Sequence, residues 1–156
     1  MMWNGVFVCF LLMAAWQDLL RKRVDIRLYQ GFACLAVFLA VLRWVTLGEA
    51  YDIVGHMAAM SPGLGLLGLG FLCKGGIGAG DGYFFLVSGM MLGIRENLMV
   101  LCVGTFLCGF FCMGYMAWIR LKTGENAGKR TVPFLPFAVI PGLWLVAESF
   151  VCKLAV

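Results

Sequence analysis

Six apolar stretches take up most of the sequence and leave few ways for it to fold. They run from Met2 to Trp16, Leu28 to Leu47, Ile53 to Cys73, Gly82 to Ile94, Leu98 to Ile119 and Phe134 to Val151. Each is apolar around its whole circumference, unlike the one-sided helices of a water-soluble domain. Composition agrees: 63% of the residues are hydrophobic, 13% are charged, and the mean hydropathy is +0.96. A soluble domain carries about 25% charged residues, so the charges here are too few to coat a surface facing water. The expected fold is all-α and integral to a membrane: a single domain over residues 1–156, built as a compact bundle of about six transmembrane helices. Loops of about 3 to 14 residues should make consecutive helices antiparallel neighbours.

The basic residues orient this bundle. The first, third and fifth connections hold Arg21, Lys22, Arg23, Arg27, Lys74, Arg120, Lys122, Lys129 and Arg130, whereas the second and fourth hold only Arg95. The positive-inside rule places the odd connections in the cytoplasm and both termini outside. Arg43 and Lys153 lie near outer helix ends, where long side chains snorkel to the interface. The net charge of +4 is thereby accounted for, and with no aromatic residues interleaved among the basic ones nothing calls for nucleic acid. The apolar stretch precedes Arg21-Lys22-Arg23, the reverse of a secretory signal, so the first helix is expected to be retained.

The seven cysteines include no C-x-x-C pair, and there is a single histidine, His56, so neither a zinc site nor any other metal is expected. Cys108 and Cys112 share a helix face, and His56 falls near an outer helix end; all three read as packing or interfacial residues. Gly89-x-x-x-Gly93, Ser61-x-x-x-Gly65 and Ala36-x-x-x-Ala40 have the spacing of close helix contacts.

An acidic residue is costly in such a chain unless it has a function or access to water. Glu49 and Asp52 fall in the second connection, Glu96 in the fourth and Glu125 in the fifth, where water solvates them, and Glu148 is near Lys153 at an outer end. Asp18, Asp25 and Asp81 remain. Asp81 ends Gly75-Gly76-Ile77-Gly78-Ala79-Gly80, a run too rich in glycine for a stable helix. At membrane depth such backbone is tolerated only inside protein or beside a water-filled cavity. The apolar stretch that follows is short, about 20 Å as a helix against a hydrocarbon core of about 30 Å. That places Asp81 roughly 10 Å below the cytoplasmic surface. Asp18, where the first helix leaves the membrane, is on the same side. Two such carboxylates can share a proton and activate water. They also suit the proton relay of a small transporter or channel component. Asp25, among Arg21, Lys22, Arg23 and Arg27, reads as a solvated loop acid and as the rival to Asp18.

Gly78-Ala79-Gly80-Asp81 resembles the G-x-G-D signature of intramembrane aspartic proteases, and the longer run from Gly75 to Asp81 is similar to that of the type IV prepilin peptidases. In that family a first aspartate at the end of an early helix is followed after five residues by Ile-Pro-Asn or similar; here Asp18 is followed at that spacing by Val24-Asp25-Ile26. Pro133-Phe134-Leu135-Pro136-Phe137 is similar to the Pro-Phe-x-Pro-Phe stretch that opens the family's last helix. Two positions depart: Tyr83 stands where the family often has lysine, and Val24-Asp25-Ile26 has no proline.

The resemblance implies a multi-pass peptidase of the cytoplasmic membrane that cleaves the short basic leader of prepilin or pseudopilin substrates. Asp18 and Asp81 would be its catalytic pair, and Gly75, Gly76, Gly78 and Gly80 its active-site loop. Tyr83, Pro133, Phe134 and Pro136 would contact substrate or pack around the site. No cofactor is implied. Larger family members also methylate the new N-terminus and carry an N-terminal region with paired cysteines; peptidase activity alone is expected of a chain that opens on its first helix. An inactive scaffold of the same fold is the remaining alternative.

Overall fold

The computed structural model describes residues 2–21, 25–47, 53–73, 78–123 and 132–154. In chain order these form α1 (Met2–Arg21), α2 (Ile26–Leu47), α3 (Ile53–Ala59), α4 (Ser61–Leu72), α5 (Ala79–Met91), α6 (Ile94–Thr123) and α7 (Leu135–Leu154). No strand occurs among the described residues. Glu49, Asp52, Gly75, Gly76 and Glu125 lie outside them.

The segments amount to six rods, because α3 and α4 divide what the sequence offers as one apolar stretch. The cause is Pro62, near the start of α4: it has no N–H to give to a carbonyl one turn back, and its ring crowds that turn. Met60 bridges the break, its N–H donating to the His56 carbonyl at 3.1 Å and its own carbonyl accepting from the Leu64 N–H at 3.2 Å.

Three stretches are long and apolar enough to cross a bilayer: Ile26–Thr46, Val54–Leu72 across the break, and Ile94–Lys122. Leu135–Ser149 is apolar but shorter. Large apolar side chains such as Phe38, Val45, Phe106, Phe110 and Ile140 stand exposed on several helices, as suits a protein solvated by lipid. The chain is a membrane protein. Its longest helix, α6, has 30 residues, about 45 Å at the α-helical rise and well beyond a hydrocarbon core of about 30 Å.

The shortest of the rods lies at the centre. α5 packs against α1, α2, α3, α4 and α6, while α7 lies against α1 and α6. Gly82, Phe84, Phe85, Val87, Ser88, Gly89 and Met91 are all buried along α5. Its tightest contact is with α4 and the break before it. A β-carbon on Gly82 would stand 2.6 Å from Leu67 Cγ; one on Gly63 would strike the Leu86 backbone, and one on Gly89 the Ala59 carbonyl. Small residues let these backbones approach, and close van der Waals packing is what holds helices together in lipid.

Only part of this was visible as spacing in the sequence. Gly89 is a contact, and Ala36 and Ala40 are buried. A β-carbon on Gly65 would meet nothing, and one on Gly93 only the flexible Glu96 side chain. Glu96 and Arg95 also differ from expectation, since α6 begins at Ile94 and takes both into its first turn. Glu96 folds back over Gly93, as an acidic residue in a helix's first turn does when it approaches the unsatisfied amides there.

At this end of the bundle Asn97, fully buried, joins three elements. Its Nδ2 donates to the carbonyls of Ala59 at 2.7 Å and Phe85 at 2.9 Å, and its Oδ1 accepts from Ser88 Oγ at 2.7 Å. Ala59 is the last residue of α3, so α6 supplies a donor to a carbonyl at the break in its neighbour.

Consecutive helices are not always neighbours. α1 and α2 make little backbone contact, and both lean on α5 instead. Phe10 of α1 fills the centre, with its ring 5.1 Å from those of Phe32 and Phe84 and 6.1 Å from that of Tyr29. Between α1 and α2 a cleft of about 360 Å³ stays open, lined by Met13, Gln17, Asp25, Arg27, Phe32 and Leu35 among others.

Candidate active site

Four helix ends meet on one side of the molecule: the end of α1 and the starts of α2, α5 and α7. Asp81 stands in the first turn of α5. Helix formation begins at Ala79, earlier than the glycine content suggests, so Gly80 and Asp81 are helical and Gly78 is the N-cap, with φ −64° and ψ 122°. The Asp81 N–H donates to the Gly78 carbonyl at 3.1 Å. The side chain turns back the same way: a β-carbon on Gly78 would lie 3.5 Å from Asp81 Oδ2. A carboxylate here faces unpaired amides and the positive end of the helix dipole.

Asp18 comes from the last turn of α1, within a helix that runs past Trp16 to Arg21. Its Oδ2 accepts a hydrogen bond from the Leu135 backbone N–H at 3.1 Å, and the Phe134 amide is directed at the same carboxylate. The proline-rich motif thus gains a physical role. Pro136 sits in the first turn of α7, where a missing N–H costs little, and leaves the Leu135 amide aimed at Asp18. Phe134 packs its ring 6.1 Å from that of Phe85, Phe137 packs 5.2 Å from Phe111, and Leu135 is buried. Pro133 precedes this turn and is half-buried.

Asp18 and Asp81 are both half-buried, at the ends of α1 and α5 that lie on this side of the molecule, and the Asp18 charge bears on Asp81. Asp25, the rival to Asp18, is exposed just before α2; its N–H donates to Gln17 Oε1 at 3.0 Å, and it lines the cleft between α1 and α2. Of the active-site glycines expected from sequence, Gly78 and Gly80 are at the site; Gly75 and Gly76 fall outside the described residues. Tyr83 is 41% exposed, with its ring 6.0 Å from that of Tyr29.

One neighbour escaped sequence reasoning. Tyr29, on α2, is 4% exposed and donates its hydroxyl to the Gly80 carbonyl at 2.9 Å. It belongs to no recognisable pattern, since the group it bonds lies 51 residues away. Cys108, which the sequence offers with Cys112 as a packing residue, is half-buried on α6.

Among the described residues no three His, Cys, Asp or Glu side chains come together as metal ligands would. The arrangement offers two carboxylates from different helices on one side of an apolar bundle, one bonded to a backbone amide and the other at a helix start. It is suited to exchanging a proton with water and with a polar substrate held between them.

No curated protein and no solved structure matches the chain significantly. A family model does, over residues 5–113, which takes in α1 to α5, both aspartates and most of α6, and stops short of the Pro133–Phe137 motif. With that match covering well over half of its length, the chain belongs to the type IV leader peptidase family.

Proposed function

We propose that the protein is a membrane aspartic endopeptidase that removes the short basic leader of prepilin-like substrates, with Asp18 and Asp81 as its catalytic pair. The observation that carries this reading is the family match over residues 5–113; the placing of both half-buried carboxylates at helix ends on one side of the bundle supports it. One carboxylate takes a proton from the attacking water while the other, protonated, polarises the scissile carbonyl. The proton belongs to the pair, and so does its titration. The basic connections orient the bundle with the dyad toward the cytoplasm, both termini outside and six crossings of the cytoplasmic membrane. A substrate with an apolar segment would then lie alongside the helices, and its leader would reach the dyad from the cytoplasmic side, so that docking supplies orientation.

The direct test is cleavage of a prepilin in proteoliposomes. The wild-type enzyme should shorten the substrate, and Asp18→Asn and Asp81→Asn should each lower the rate by about a hundredfold or more, because an amide cannot take the proton. Near-normal cleavage by folded Asp81→Asn protein would sink the dyad. Substrate left intact by the wild-type enzyme, together with proton-coupled uptake in the same vesicles, would favour the transporter reading.

A further inference from the structure

The backbone that carries Asp81 is soft. Glycines at 78, 80 and 82 flank it, and glycine restricts its own torsions least of all residues. A carboxylate that works with a partner must nevertheless be held to within about 0.5 Å. On one side α4 supplies the constraint, where Leu67 presses on Gly82. On the other stands Tyr29.

The ring of Tyr29 is fully used in packing against Phe10 and Tyr83, and for this a phenylalanine would serve equally well. The hydroxyl adds nothing to that packing, and burying it in an apolar bundle is costly unless it is bonded. Its bond goes to the Gly80 carbonyl at 2.9 Å, the peptide unit that joins Gly80 to Asp81. A β-carbon on Gly80 would lie 3.6 Å from the same oxygen, so the hydroxyl rests directly on the turn. Tyr29 is also close enough to feel the charge of both aspartates.

We infer that Tyr29 is a positioning residue for the dyad: its hydroxyl clamps the Gly80 carbonyl and fixes the backbone from which Asp81 projects. The inference rests on the peptidase reading for its effect on rate, but the clamp itself can be measured without activity. Tyr29→Phe keeps the ring and removes only the bond.

Hydrogen–deuterium exchange of the purified variant in lipid nanodiscs should show faster exchange in the peptide covering Gly78 to Phe84, with the first turn of α7 unchanged. In the cleavage assay kcat should fall by about tenfold, as expected for a displaced catalytic group, with KM within about twofold of wild type. Unchanged exchange around Asp81, or a rise spread equally over α7, overturns the clamp. A local rise with kcat unchanged overturns the positioning role. If the wild-type enzyme cleaves no leader, the peptidase reading fails, and the exchange measurement alone decides whether Tyr29 holds the turn.

Discussion

Asp18 and Asp81 are held by different means. One is tied to the amides that open α7, the other projects from the first turn of its own helix. If the two share one catalytic proton, losing either disables both. The double variant Asp18→Asn/Asp81→Asn should therefore cleave scarcely more slowly than either single variant, since groups acting as a unit are strongly non-additive. Asp25→Asn should keep substantial activity, because that carboxylate is exposed on the lining of the cleft between α1 and α2; selective loss of cleavage in this variant would transfer the first aspartate's role to it. Asn97 is a different kind of polar residue, one whose bonds are all used to hold helices together. Asn97→Ala strands the Ser88 hydroxyl and the Ala59 carbonyl, and should lower stability by about 1–2 kcal/mol, the upper range for polar contacts between membrane helices. Thermal unfolding in detergent measures it, with leader cleavage below the transition retained. The sequence singles out the acids because a carboxylate beside an apolar stretch stands out by itself. It does not single out Tyr29 and Asn97, because each depends on a carbonyl 51 or 38 residues away.

Helices and their breaks carry a second layer of information. α5 lies close to α4 and to the end of α3 because Gly63, Gly82 and Gly89 lack side chains where these helices meet. Gly63→Ala and Gly89→Ala each drive a β-carbon into backbone and should reduce the yield of folded protein, whereas Gly65→Ala, facing open space, should leave it unchanged. Size-exclusion profiles of the detergent-extracted variants compare them directly, and equal yields would mean that α4 and α5 can separate at little cost. Spacing of small residues picked out only Gly89, since Gly63 and Gly82 are fitted to residues of the facing helix and not to a small partner in their own. The division of α3 from α4 was written in the sequence as Pro62, but hydropathy is blind to it: the stretch is apolar on both sides of the proline. The Pro133–Phe137 motif was recognisable as a pattern, yet its use, an amide presented to Asp18, emerges only when α1 and α7 are side by side.

For the whole molecule, the sequence was most informative about solvent. Six apolar stretches became six rods, with ends shifted by a few residues and the all-helical class as expected. The order of packing was not legible, because lipid-facing and protein-facing sides are equally apolar; that the short α5 takes the centre follows from its glycines and aromatic rings fitting five neighbours. Orientation rests on the loop charges, and it has a simple check. Cys73, just past α4 and exposed, should lie toward the cytoplasm, and Cys152, in the last turn of α7, toward the outside. A membrane-impermeant thiol reagent added to intact cells should modify single-cysteine protein retaining Cys152 and spare that retaining Cys73; the opposite pattern would invert the bundle and turn the dyad away from the cytoplasm.

The hydrogen bond from Leu135 to Asp18 links α7 to α1 across 117 residues of chain. Translation makes the carboxylate first and its amide much later. Until α7 docks, the α1 carboxylate lacks the donor that holds it, so this end of the bundle is set in order by a helix made well after the acid it fixes.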